Sequence, residues 1–112
     1  MGSIVADAKA LADDLNAAGV RATHDPARAA TIRPCVLVTP PSMDYSAKVN
    51  VYRLACLSSR PAGTLAALTE LDELLQGLLA VPRLYPETAE PAAYVLSPDQ
   101  PSVPAYVVTI TT

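Results

Sequence analysis

A chain of 112 residues with a hydrophobic fraction of 51% is long enough for one domain with its own core. Its net charge of −3, eleven acids against eight bases with no basic run, offers nothing to nucleic-acid binding by counterion release. No stretch approaches the ~18 apolar residues of a membrane span. Asp7 breaks the first apolar run, against a signal peptide, and Ala6 stands where a myristoylation signal needs Ser or Thr. The expected setting is soluble and intracellular, at least where the chain is made.

In chain order, Ser3 is expected to cap a helix running to about Ala18. Ile4, Val5, Ala8, Leu11, Ala12 and Leu15 share one face of it, and Gly19 supplies the left-handed stop. Val20–His24 reads as a short strand. Asp25-Pro26 opens a turn, and Ala27–Ile32 is a loop or a single helical turn. Cys35–Thr39, apolar throughout apart from Thr39 and bounded by Pro34 and Pro40-Pro41, fits a strand covered on both faces. A polar loop leads to a longer strand, Ala47–Leu57, polar on one side at its start and apolar on both at its end. The hairpin is therefore expected to project from the body at the loop.

A turn around Met43 would set Cys35 opposite Val51 or Arg53, away from Cys56. Both cysteines are then expected to be free and buried, in keeping with a reducing compartment. Thr64 is expected to cap a second helix to about Leu79. Its leucines, Leu74 and Leu78 among them, cover about half the circumference, wider than one sheet-facing stripe requires. Val81–Pro91 reads as a proline-punctuated loop, Ala92–Leu96 as a short strand, Ser97–Pro104 as a stiff loop and Ala105–Thr112 as a last strand. The order α-β-β-β-α-β-β predicts an α+β domain over residues 1–112, with two helices on an antiparallel or mixed sheet.

Catalytic chemistry finds no constellation. The single histidine, His24, has Asp25 beside it on the opposite side of the strand, so no oriented base is formed. Cys35, Cys56, His24 and Asp25 match no zinc-ligand spacing, the four glycines build no phosphate loop, and the acid pairs Asp13-Asp14 and Asp72-Glu73 read as solvated helix faces. No enzyme activity and no cofactor or metal is expected.

What remains is surface. Pro40, Pro41, Met43, Asp44 and Tyr45 form a loop with residue types enriched at interfaces. Asp99 and Pro101 lie in a loop whose prolines reduce the entropy lost on docking. Arg28, Arg33 and Arg53 can bridge to acids on a neighbour.

The first helix ending LADDLNAAGV (Leu11–Val20), the segment HDPARAATIRPCVLVTPP (His24–Pro41) and the strand KVNVYRLACL (Lys48–Leu57) carry a resemblance. So do the acidic leucine-rich TELDELLQGLL (Thr69–Leu79) and the closing PAYVVTITT (Pro104–Thr112). Together the chain resembles the tail terminator proteins of long-tailed, non-contractile phages, especially those of high-GC actinobacterial hosts. The preference for arginine over lysine and the abundant alanine agree with that source. The resemblance implies a structural virion protein, assembled in the host cytoplasm. It would form a six-fold ring on the last ring of tail-tube protein, stop tube growth and present a surface to the head-completion proteins. DNA would only pass through the lumen, and Asp44 and Asp99 are candidate lumen or rim residues. The second helix's broad face, with Leu74 and Leu78, and the projecting hairpin with Arg53 nearby are the two candidate subunit contacts. Another head-to-tail connector or minor tail protein is the alternative; a small intracellular binding module or enzyme is the further one.

Overall fold

The computed structural model describes residues 4–82, 84–96 and 98–111, and of residue 44 the backbone alone. The cap expected at Ser3, the loop start at Ser97 and the strand end at Thr112 lie outside the described residues. Over these residues the fold is α+β, with three helices and a six-stranded mixed sheet that is mostly antiparallel. A radius of gyration of 13.5 Å agrees with the ~13 Å of a compact chain this long.

Helix α1 (Ile4–Ala17) buries Ala8, Ala12 and Leu15, the inner line of the stripe read from the sequence. Gly19, at φ +91°, ends the helix: its N–H donates to the Asn16 carbonyl at 3.0 Å, and that of Val20 to the Leu15 carbonyl at 2.9 Å. Strand β1 (Ala22–Thr23) pairs in parallel with β2 (Cys35–Val38). Between them, where a loop or single turn is expected, the chain makes the seven-residue helix α2 (Pro26–Ile32). The Asp25 carboxylate accepts from Ala27 N–H at 3.0 Å, and Pro26 occupies a first-turn position that needs no N–H.

Strands β3 (Ser42–Asp44) and β4 (Val49–Leu57) form the hairpin. The third strand was not expected. Because Ser42–Asp44 continues as strand, the turn lies over residues 45–48, with Lys48 at φ 58°, rather than around Met43. The register moves with it: Cys35 opposes Leu57, and Val36 opposes Cys56. The expected pairing of Cys35 with Val51 or Arg53 is therefore corrected. The cysteines are free nonetheless, because they lie one position out of step and point to opposite faces of the sheet.

Helix α3 (Leu65–Leu79) is capped by Thr64, whose side chain accepts from Ala67 N–H. Strand β5 (Pro86–Tyr94) then pairs antiparallel with β6 (Val103–Thr111), which pairs with β4. The sheet order is β1-β2-β4-β6-β5, with β3 also on β4. The expected loop at Val81–Pro91 is thus half strand, and the short strand expected at Ala92–Leu96 begins at Pro86. The reason is position at the edge. Ser58 N–H donates to the Pro104 carbonyl, so the polar backbone atoms of Pro104 face β4. Alternation along the ladder turns the nitrogens of Pro86 and Pro91 away from β6, to the free edge where no donor is needed.

The sheet buries both faces of its centre. Helices α1 and α3 cover Val36, Val38, Leu54, Cys56, Val108 and Ile110. Helix α2, with Tyr94 and Leu96, covers Cys35, Leu37, Ala55, Leu57 and Ala105. This accounts for the uninterrupted apolar run of β2.

Candidate functional site

Reactive groups come first. Burial pushes the Cys35 thiol up to about 11, against the lowering influence of Arg21 and Arg33. Burial, and then Cys35, push Cys56 up to about 12. Both remain protonated at neutral pH, and they lie in the cores on opposite faces of the sheet. Among the described residues, no group of three His, Cys, Asp or Glu is placed to hold a metal ion. Among the same residues no helix is long and apolar enough to cross a membrane.

The surfaces named from the sequence fall in different places. In the hairpin, Tyr45 is 82% exposed and Met43 is exposed beside it, with the Tyr45 hydroxyl 3.5 Å from the Met43 sulfur. Pro40 is exposed, but Pro41 is buried and belongs to the body. The Asp44 side chain lies outside what is described. Arg53 is exposed on β4, and its carbonyl accepts from Thr39 N–H and Oγ1. Asp99 and Pro101 are exposed near the start of β6, beside the Leu57 end of β4. The hairpin is at the other end of β4. The nine residues of that strand hold the two groups roughly 25–30 Å apart. They do not form one rim.

On α3 the expected broad stripe divides. Leu78 is 1% exposed and sits in the core, so its placement in a subunit contact is corrected. Leu74 is half-buried against the same core. The outward row is instead Leu65 (78% exposed), Leu68 and Leu79 (60%), positions at which a single chain leaves leucine in water. Next to Leu79, Leu75 and Asp72 on α3 face Pro86 and Ala89 on β5 across a cleft of about 150 Å³. Tyr85, also exposed, precedes β5. Leu65, Leu68 and Leu79 share the spacing of the leucines the sequence singled out. Only the packing separates inward from outward members.

A second feature was partly missed. An open groove of about 600 Å³ lies beside β1, walled by α1 and α2, and is lined by Arg21, His24, Arg28 and Arg33 among others. Arg28 and Arg33 were singled out from the sequence; Arg21 was not, because nothing in the spacing of residues 21 and 28 shows that they line one groove. Arg21 Nη1 donates to the Ile32 carbonyl at 3.1 Å. Arg33 Nη1 donates to the Ser58 carbonyl at 3.2 Å, and its Nε is buried without a partner among the described residues.

At the end of β4, Ser58 is fully buried and donates to Glu70 Oε1 at 2.7 Å, and Ser59 N–H and Oγ reach the same carboxylate. Burial acts to raise the Glu70 carboxyl, but the hydrogen bonds from Ser58 and Ser59 and the charge of Arg60 outweigh it and hold the group below its ordinary value. This cluster ties α3 to the sheet. Its members are held by one another, and it reads as a structural clamp. No family, curated protein or solved structure matches this chain.

Proposed function

We propose that this chain is a structural virion protein, a tail terminator. Copies of it form a ring, of six by the family likeness, on the last ring of tail-tube protein. The ring stops tube polymerisation and receives the head-completion proteins. The observation that carries this reading is the outward leucine row of α3, Leu65, Leu68 and Leu79, on a domain whose core is already closed by Leu71 and Leu78 of the same helix. Exposed leucines in a row suit burial against another protein. The hairpin with Met43 and Tyr45 offers a second, separate patch, and a ring needs two different patches that fit one another. The residue wording quoted above supplies the family. DNA crosses the lumen without being held, which the net charge of −3 favours.

Purified tube protein that is elongating should stop growing when this chain is added. Unchanged tube length distributions in electron micrographs would contradict the proposal. A capped structure of a different rotational symmetry would favour another head-to-tail connector.

A further inference from the structure

We infer that one copy docks head to tail on the next, with the acidic β5 edge of one copy seated against the cationic groove beside β1 of its neighbour. The inference rests on the ring reading and adds an electrostatic contact between subunits to the apolar patches named above.

The charge map carries it. Four of the eight basic residues, Lys9, Arg21, Arg28 and Arg33, line the groove. Lys9 is neutralised by Asp13 at 2.9 Å, and Asp25, between β1 and α2, is turned to cap α2. No carboxylate of the described residues forms an ion pair with Arg21, Arg28 or Arg33. At the opposite end of the strand order the signs reverse. From residue 84 onward the sequence has no Lys or Arg, and β5 carries Glu87 and Glu90, both exposed. The sheet is therefore polarised from one edge to the other. Unlike ends of identical molecules attract, and a contact between unlike ends propagates from copy to copy and closes if the rotation allows.

The two edges also refuse the simpler alternative, strand addition. The Asn16 side chain occupies the backbone groups of Ala22 on β1, and Pro91 removes a donor from the middle of the free edge of β5. Contact must then be made through side chains, which is where the charges stand.

The test uses two full-length charge reversals. One carries Arg21→Glu and Arg28→Glu; the other carries Glu87→Arg and Glu90→Arg. All four residues are exposed, and circular dichroism checks the fold. In the first variant both edges are acidic and in the second both are basic, so each alone should self-associate about tenfold more weakly or worse by sedimentation velocity. Mixed in equal amounts, acidic groove meets basic edge and basic groove meets acidic edge, and association should return. Added salt should weaken the original contact.

Recovery on mixing supports the contact, and misfolded variants would not show it. An original chain that stays monomeric at millimolar concentration, variants that associate unchanged, or a mixture that stays apart would overturn it. Retardation of duplex DNA by the groove, with self-association untouched, would also overturn it. Rings on tail tips that ignore both reversals would leave the terminator reading standing and remove this contact. Salt-sensitive, mix-rescued association with no binding to tails would do the reverse.

Discussion

The Asn16 side-chain amide closes the outer edge of the sheet on Ala22: its oxygen accepts from Ala22 N–H at 3.0 Å and its nitrogen donates to the Ala22 carbonyl at 2.8 Å. A helix residue thereby completes the hydrogen bonding that a neighbouring strand would otherwise provide. The same nitrogen also reaches the Ala12 carbonyl, so the end of α1 and the start of β1 are fixed together. Replacing Asn16 by Ala should leave two partly buried backbone groups unmet and cost about 1–3 kcal/mol. Urea denaturation measures it, and a change within error would show that water serves equally well.

A second substitution of the same kind concerns Ser58. Its carbonyl lies where the next strand would present an N–H, but that residue is Pro104, and Arg33 supplies the donor instead. Arg33→Ala is expected to destabilise by about 1–3 kcal/mol. Arg33→Lys should recover part of this, since an ammonium can donate but not in the same planar fork. Equal stability of the Ala and Lys variants would show that the bond contributes nothing.

Glu70 gives the chain an acid-sensitive clamp. Its folded pKa is depressed below the ordinary glutamate value, so its contribution is fully present above the unfolded value and is lost as pH falls through the folded value. A protonated carboxyl accepts poorly from Ser58, Ser59 and the Ser59 N–H. The stability gap between the original chain and Glu70→Gln should be widest at neutral pH and shrink on acidification below the ordinary glutamate range. A gap that grows on acidification would reverse the assigned sign.

The two kinds of leucine on α3 should separate cleanly. Leu78→Ala removes a core side chain and should cost about 2–5 kcal/mol. Leu68→Glu alters an exposed position and should move stability by no more than about 0.5 kcal/mol while reducing assembly onto tail tubes. Thermal unfolding reads the first and co-sedimentation with tubes reads the second. Full assembly by Leu68→Glu would remove the leucine row from the contact.

The hairpin tip is expected to behave like Leu68. Ser in place of Met43 and Tyr45 should keep the circular dichroism spectrum and weaken assembly, since the two side chains touch each other, both are exposed and neither belongs to the buried core. Loss of fold would place the tip in the core.

Much of this architecture is legible in the sequence, and the misses have physical causes. The stripe of α1, its stop at Gly19, the cap at Thr64 and the doubly covered β2 follow from periodicity and backbone preference acting locally. Helix α2 is legible only as a loop or a single helical turn, because seven residues hold too few apolar positions to show a period, while Asp25 and Pro26 start it from outside the pattern. Strand β5 was hidden by Pro86 and Pro91, which forbid a central strand but not an edge whose nitrogens face outward. The cysteine register depended on where a turn without Gly or Pro would fall, and Lys48 in the left-handed region gives no sequence signal. The candidate surfaces were half legible. Exposed residue types on loops can be named, but burial divides Leu78 from Leu79 only after the sheet is built. Arg21 and Arg28 become neighbours only once α2 exists.

The central claim is that identical copies of this chain close a ring at the end of a tail tube. Electron microscopy of the purified protein, alone and after mixing with tail tubes, tests it directly. The account predicts a closed ring at one tip of each tube, with subunits joined in a single head-to-tail sense. Bare tube ends in the presence of excess protein, with single copies dispersed in the background, would contradict it.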